Sequence, residues 1–209
     1  MAEADLNYYS LPAEPCWRRV EEIAGLIEVF DPEVQVCSVE RELDPAIAAY
    51  LSGLPETVAK HSLATLHVDQ APTLDALPDG TGREALLEDI ALLRDVVCVL
   101  LDCDSIGMRM GRLDHAMCPG WHVDRLGIRL VCTYNGPGTQ WLDDQDVDRG
   151  LLRSAQIEQS AYVEASAGEI VLLKGSMWQS NERFGAVHRS PDPGKSAPLR
   201  TVITLDSMR

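Results

Sequence analysis

The sequence predicts an α+β protein, with helices in the first half and an antiparallel barrel or jelly roll in the second. The stretch Arg83–Cys103 carries apolar residues at helical spacing over a broad face. After Ser105 the apolar residues recur at every second position instead, which is typical of strands. From Gly127 onward, turns rich in Gly and Pro separate short apolar segments, as in antiparallel β architectures.

We place the change at residue 105, so that residues 1–105 form a helical part and residues 106–209 a barrel part of one compact unit. In the first part the spacing predicts helices over Cys16–Phe30, from Asp44-Pro45, over about Glu56–Leu66 and over Arg83–Cys103, with a short strand at Val34–Val39. In the second part it predicts strands from Ile106, over Gly127–Tyr134, Ala161–Ala165, Gly168–Gly175 and Gly185–His188, and over Leu199–Leu205. The helices are expected to cover one face of the barrel.

Composition excludes several classes of function. The formal net charge is −15 without a basic cluster, so binding to nucleic acid or to an anionic membrane is not expected. The first ten residues show no secretory signal, and the most apolar stretch, Val96–Leu101, is too short to span a bilayer. A cytoplasmic location is the resulting expectation, and the oligomeric state is left open.

Two potential metal ligands stand close together in the segment Cys118–Asp124. Residues i and i+2 of a strand point to the same side, so His122 and Asp124 can aim an imidazole and a carboxylate at one point. A third ligand is expected from downstream, and His188 is the best candidate. Two histidines and one carboxylate leave positions open on an octahedral metal, which is typical of non-haem Fe(II) oxygenases.

The tripeptide His-Val-Asp also occurs at His67–Asp69, so this motif alone is not diagnostic. His67 ends a predicted helical stretch and precedes a Pro-containing loop, whereas His122 leads into the strand Gly127–Tyr134. We therefore interpret His67 and Asp69 as a surface or capping pair.

The order of these residues resembles that of the Fe(II)/2-oxoglutarate-dependent dioxygenases. The shared features are His-x-Asp, a strand that begins Gly-Glu-Ile, a distal His and an Arg twelve residues after it. The resemblance covers residues 106–206 and implies a double-stranded β-helix, which is a jelly-roll variant. It also implies that His122, Asp124 and His188 hold Fe(II). Arg200 would then pair with the far carboxylate of 2-oxoglutarate, as a guanidinium is suited to do.

Four segments are also similar to a narrower bacterial family of unknown function. These segments are Cys118–Asp124, Thr133–Thr139, Leu173–Gly175 and His188–Pro191. Members of that family are often associated with zinc-homeostasis genes, so this resemblance keeps a zinc-linked role open.

Further side chains are candidates for binding a cosubstrate. Tyr134 ends a strand and is expected either to hydrogen-bond a cosubstrate carboxylate or to pack in the core. Arg189 and Ser190 adjoin His188, and either orient a bound acid or begin the loop Pro191–Pro198, whose composition suits a lid.

Three functions fit this pattern. The first is an oxygenase that uses Fe(II) and 2-oxoglutarate to hydroxylate an unidentified small molecule or peptide. The second is a zinc-binding protein of metal homeostasis, in which Cys118 is a fourth ligand rather than a buried thiol lining the pocket. The third is a cupin-like metal enzyme that does not use 2-oxoglutarate. A His₂-carboxylate site accepts several divalent ions, so the sequence leaves Fe(II), zinc and other metals open.

Overall fold

The computed structural model describes residues 14–152, 161–192, 194 and 199–208. The strands in these ranges are β1 (Trp17–Val20), β2 (Val36–Val39), β3 (His61–His67), β4 (Ser105–Leu113), β5 (Ile128–Asn135), β6 (Gln140–Trp141), β7 (Val163–Glu164), β8 (Ile170–Lys174), β9 (His188–Arg189) and β10 (Arg200–Ser207). The α-helices are α1 (Pro45–Gly53) and α2 (Arg83–Leu101), and 3₁₀ helices span Ile23–Phe30, Asp144–Asp146 and Arg149–Leu151.

The strands form one large and one small sheet. The seven-stranded sheet has the order β1-β2-β8-β5-β10-β4-β3, and the three-stranded sheet has the order β7-β6-β9. Neighbouring strands are antiparallel except β1 and β2, which pair in parallel. A single bridge from His122 to His188 extends the small sheet beyond β9.

The two sheets enclose a small apolar core. Val131, Leu173 and Val202 project from one face of the large sheet and pack with Trp141 of the small sheet. The Trp141 side chain is fully buried there. Because side chains alternate along a strand, the intervening residues of β5, β8 and β10 point to the opposite face of the large sheet.

That opposite face packs against the helices. Leu130 and Ile203 of the sheet belong to the same buried cluster as Leu86 and Ile90 of α2, and all four are fully buried. The large sheet therefore separates two environments, with helices on one side and the small sheet on the other.

Several predicted elements are confirmed. Helix α1 begins after Asp44, whose carboxylate accepts from the Ala46 amide at 2.8 Å, with Pro45 in the first turn. Helix α2 and strands β2, β4, β5, β7, β8 and β10 fall within or close to their predicted ranges. The strand predicted over Gly185–His188 is shorter and later, at His188–Arg189.

The prediction of a mainly helical first half is wrong in two places. Cys16–Phe30 is a strand, β1, followed by a 3₁₀ helix, and the stretch up to Leu66 ends in the strand β3. Leu63 and Leu66 have helical spacing, but β3 pairs with β4 from His61 to His67. This non-local pairing overrides the local pattern. Strands from both sides of residue 105 share the large sheet, and the division there stays a prediction.

Among the described residues, no helix is both long and apolar enough to cross a bilayer. Part of the predicted lid, residues 193 and 195–198, lies outside the described residues, as do residues 1–13.

A polar network joins the sheet to the helices. The Asp89 carboxylate on α2 accepts hydrogen bonds from Arg41 and, at 2.5 Å, from the Tyr134 hydroxyl. Arg41 also donates to the carbonyl of Gly168 at 2.8 Å. Asp89 is 9% exposed, so this ion pair has little access to water.

Replacing Asp89 by Ala should lower the free energy of unfolding by about 3 kcal/mol, because it leaves the Arg41 charge buried without a partner. Urea denaturation followed by circular dichroism measures this change. The matched control is Asp95→Ala on the same helix, where the carboxylate is exposed and a loss below about 1 kcal/mol is expected. Equal effects of the two substitutions would contradict the prediction.

Candidate metal centre

His122 and His188 face each other as an antiparallel pair. The amide of each residue donates to the carbonyl of the other, both at 3.0 Å. Residues paired in this way present their side chains on the same side of the sheet. The two imidazole rings accordingly lie with their centroids 4.4 Å apart.

Local hydrogen bonds determine which ring nitrogen of each histidine is free. The Nδ1 of His122 lies 2.9 Å from the Gly120 carbonyl, and the Nδ1 of His188 lies 2.9 Å from the Ala186 carbonyl. A carbonyl only accepts, so each Nδ1 carries a proton, and in the neutral ring the lone pair is on Nε2. Metal-binding histidines are commonly oriented in this manner.

Asp124 completes the cluster. Its Oδ1 lies 3.7 Å from the Nε2 of His122, and its Oδ2 lies 3.5 Å from the Nε2 of His188. Metal bonds of about 2.0–2.2 Å would separate neighbouring ligand atoms by roughly 3–3.5 Å. The His122 side chain is 33% exposed and that of His188 only 8%, so the site opens to solvent past His122.

The protonation states suit metal binding. Burial and the nearby His188 lower the pKa of His122 from its usual value. Burial alone would raise the pKa of Asp124, but His188, Arg129 and His122 together lower it to about 2. At neutral pH the cluster therefore offers the neutral imidazole of His122, which carries a proton on Nδ1 only, and the carboxylate of Asp124, the forms in which these groups bind metals.

The turn after β8 holds the backbone of Asp124. The Asp124 carbonyl accepts from the amide of Ser176 at 2.9 Å and from its hydroxyl at 3.2 Å. A Cβ at Gly175 would lie only 2.2 Å from the Leu126 carbonyl oxygen, so this position needs glycine for close approach. The Leu-Lys-Gly segment therefore shapes the loop that presents Asp124.

Sequence reasoning did not identify Arg129. Its Nη1 donates to Asp124 Oδ2 at 2.7 Å, while Nε and Nη2 donate to Asp206 at 2.6 and 2.8 Å. The available signal was an arginine within the apolar run of β5, at a position that alternation places on the same face as Val131.

The turn Thr133–Thr139 forms the surroundings of Arg200. The Arg200 Nε donates to the Pro137 carbonyl at 2.8 Å, and Nη2 donates to the hydroxyls of Thr133 and Thr139 at 3.2 and 3.1 Å. Gly136 has φ of 81°, and a Cβ there would lie 3.0 Å from the Arg200 Cα. The Thr-Tyr-x-Gly-Pro-Gly-Thr segment is thus built around this arginine.

Arg200 has neutral hydrogen-bond partners although it is 2% exposed. Within the described ranges, no carboxylate forms an ion pair with it. Burial lowers the pKa of Arg200 to about 10, and Glu164 offsets only part of this effect. A buried cation without an anion is costly, which marks this position as a candidate site for a bound carboxylate.

Tyr134 does not face this site. It lies on the helix side of the large sheet, where it is 2% exposed and its hydroxyl donates to Asp89. Burial raises its pKa well above the usual value. Of the two roles expected for Tyr134, the structure shows the packed core residue. Its hydroxyl does not point toward Arg200 or the candidate metal centre, so it is not placed to bind a cosubstrate there.

Arg189 and Ser190 also make contacts other than those predicted. The Arg189 guanidinium lies 4.2 Å from the centroid of the Trp121 ring, and its Nε donates to Gln140 at 2.7 Å. Since Arg189 follows His188 in β9, it projects from the opposite face of the strand. The Ser190 amide donates to the Cys118 carbonyl at 2.9 Å, which joins the segment after His188 to the segment before His122.

Neither Cys118 nor the second His-Val-Asp, at His67–Asp69, joins the cluster. His122, Asp124 and His188 have ligand atoms within 4.8 Å of one another, and Cys118, an exposed free cysteine, is outside this group. His67 and Asp69 are exposed, and in the part of the chain described they form no such group either. The second His-Val-Asp thus behaves as expected for a surface pair.

The model of the family "Protein of unknown function (DUF1826)" matches residues 21–206. The chain belongs to the DUF1826 family. This match covers most of the chain and agrees with the resemblance of its second half to an uncharacterised family. No curated protein matches this DUF1826 chain significantly.

Solved structures show a related fold. A putative oxygenase from Shewanella oneidensis is similar with a TM-score of 0.51 at 11% identity, over 91% of this chain and 88% of that one. The dioxygenase for auxin oxidation from rice has a TM-score of 0.45 at 15% identity, over 88% of this chain and 76% of that one. Its Arabidopsis thaliana counterpart, solved with 2-oxoglutarate, has 0.45 at 8% identity, over 91% of both chains. Of these three TM-scores, only that of the Shewanella oneidensis protein is high enough to support a shared fold.

Replacing His122 by Ala should weaken binding of Co(II) or Zn(II) by more than about a hundredfold, because loss of a ligand exceeds the ten- to hundredfold effect of a supporting residue. Isothermal titration calorimetry of the metal-free protein measures this. The matched control is His67→Ala, from the second His-Val-Asp, which should leave the Kd unchanged. Loss of binding in the control would place the metal elsewhere.

Proposed function

We propose that this protein is an oxygenase that uses Fe(II) and 2-oxoglutarate to hydroxylate a substrate. The observation that carries the proposal is the pairing of an open His₂-carboxylate cluster with a buried arginine that lacks an anion. A 2-oxo dicarboxylate has one end that chelates a metal and another that pairs with a guanidinium.

The spacing between the two sites supports this assignment. Arg200 contacts Thr139, which lies two residues before Trp141 in the chain, and Trp141 is the paired residue of His188. Two residues of a strand span roughly 7 Å. The five-carbon chain of 2-oxoglutarate is comparable in length to this backbone interval, as the proposal requires.

The strand arrangement also supports the proposal. The chain order and antiparallel pairing of β4 to β10 are those expected of a double-stranded β-helix, in which the large and small sheets face each other. In this arrangement the bridge between His122 and His188 of β9 brings the two histidines side by side.

Each residue then has a definite task. His122, Asp124 and His188 hold the metal on one side and leave its other side open. Arg200 binds and orients the far carboxylate, while Val131, Leu173, Val202 and Trp141 exclude water from the interior. The bound metal, with 2-oxoglutarate and O₂, supplies the oxidising chemistry, and the protein contributes orientation.

Anaerobic addition of Fe(II) and 2-oxoglutarate should produce a visible charge-transfer band, because the 2-oxo acid chelates the iron. Arg200→Met should weaken 2-oxoglutarate binding by about 2–3 kcal/mol, roughly 30- to 150-fold in Kd, by removing a charged hydrogen-bond partner. Titration of the wild type and of Arg200→Met with 2-oxoglutarate, followed at this band, shows whether the band forms and gives the Kd of each protein.

The control for this experiment is Arg189→Gln, which removes an arginine next to His188 that faces away from the cluster. It should leave the 2-oxoglutarate Kd unchanged. Iron binding without any band would exclude 2-oxoglutarate and favour a metal enzyme of the cupin-like class.

The zinc-homeostasis alternative makes a different prediction for Cys118. Because the cysteine lies outside the ligand cluster, we expect Cys118→Ala to keep the wild-type Kd for Zn(II) and for Co(II). Calorimetric titration of both metals checks this. Tight zinc binding that is lost in this variant would support a zinc-handling protein instead.

A further inference from the structure

We propose that Arg129 and Asp206 are a positioning pair that fixes Asp124 as a ligand through one carboxylate oxygen. The inference rests on the metal site of the proposed function, and does not depend on 2-oxoglutarate. It concerns residues that lie outside the ligand cluster.

The contacts form a continuous chain across the large sheet. Arg129 on β5 and Asp206 on β10 are directly paired in the register of these two strands. Two nitrogens of Arg129 bind the two oxygens of Asp206, and its Nη1 binds Asp124 Oδ2 at 2.7 Å. The side chains are 15%, 19% and 15% exposed for Arg129, Asp206 and Asp124, so water screens them little.

This geometry restricts how Asp124 can bind a metal. A guanidinium is planar, so the two bonds to Asp206 also fix the direction of the third N–H group toward Asp124. With Oδ2 occupied by a charged hydrogen bond, Oδ1 is left as the better donor. One-oxygen binding leaves more positions free on the metal than chelation by both oxygens would.

Charge explains why Arg129 needs Asp206. An arginine next to a divalent cation opposes metal binding, since both are positive. The Asp206 carboxylate neutralises this charge locally, and Arg109 contacts Asp206 at 3.2 Å from a position that is 56% exposed and therefore well screened. The triplet of Asp124, Arg129 and Asp206 keeps one net negative charge for the metal.

A purely structural ion pair between two strands would give different results. Such a pair stabilises the fold but leaves the metal geometry unaltered when it is removed. The matched example is Arg19 of β1 in the same sheet. Its guanidinium donates to the buried Glu169 carboxylate through two nitrogens at 3.0 and 3.2 Å, and it contacts none of the three candidate metal ligands.

The experiment titrates Co(II) into metal-free wild type and four variants, Arg129→Gln, Arg129→Lys, Asp206→Asn and the control Arg19→Gln. We expect Arg129→Gln to raise the Kd about tenfold or more, because the loss of the hydrogen bond that orients Asp124 outweighs the removal of a positive charge. The visible Co(II) spectrum should also change, because Asp124 is then free to turn. Arg129→Lys keeps the charge but not the planar guanidinium, so it should restore only part of the affinity and should not restore the wild-type spectrum. Asp206→Asn should raise the Kd by leaving the Arg129 charge unopposed. Arg19→Gln should keep the wild-type Kd and spectrum, even if it lowers the melting temperature.

The outcomes separate the two proposals. A wild-type Kd and spectrum in Arg129→Gln, with metal still lost in His122→Ala, would refute the positioning pair and leave the metal site intact. Equal losses in Arg129→Gln and Arg19→Gln would also refute it, since general destabilisation would then be the cause. Absence of Co(II) binding by the wild type would instead refute the metal site of the proposed function. Circular dichroism of each variant at the titration temperature verifies that it is folded.

Discussion

The antiparallel pairing of His122 with His188 is the constraint on which the rest of the site depends. Two backbone hydrogen bonds bring together residues that are far apart in sequence, and the same pairing places their rings side by side. Carbonyls of Gly120 and Ala186 then orient each ring through Nδ1. The relative position of the two histidines of the candidate metal centre thus follows from main-chain geometry.

Two arginines on the inner face of the large sheet, Arg129 partly buried and Arg200 fully buried, differ in how their charge is balanced. Arg129 is neutralised by Asp206 and Asp124, and its role is complete within the protein. Arg200 has only a carbonyl and two hydroxyls, which satisfy hydrogen bonds without neutralising its charge. This difference is the basis for our proposals that Arg129 supports a metal ligand and that Arg200 binds an acid from outside the chain.

Local signals predicted α1, α2 and most strands of the second half, because capping and alternation are short-range effects. The Asp44-Pro45 start of α1 and the apolar face of α2 are examples. They failed for β1 and β3, where apolar residues at spacing i, i+3 suggested helices. Those segments are strands because β2 and β4 supply partners, and no local pattern contains that information.

The sequence by itself was enough to select His122, Asp124, His188 and Arg200 as candidates for the site, since a fixed order of chemically suited residues is visible without coordinates. Only the tertiary structure decided which neighbours belong to the site. Tyr134 and Arg189 face away from it, since strand alternation and pairing set their direction, and Cys118 is exposed and outside the ligand cluster. Arg129 joins the site because the pairing of β5 with β10 places it against Asp206 and Asp124. Direction and proximity across strands depend on register, which is a property of the folded sheet and not of any one segment.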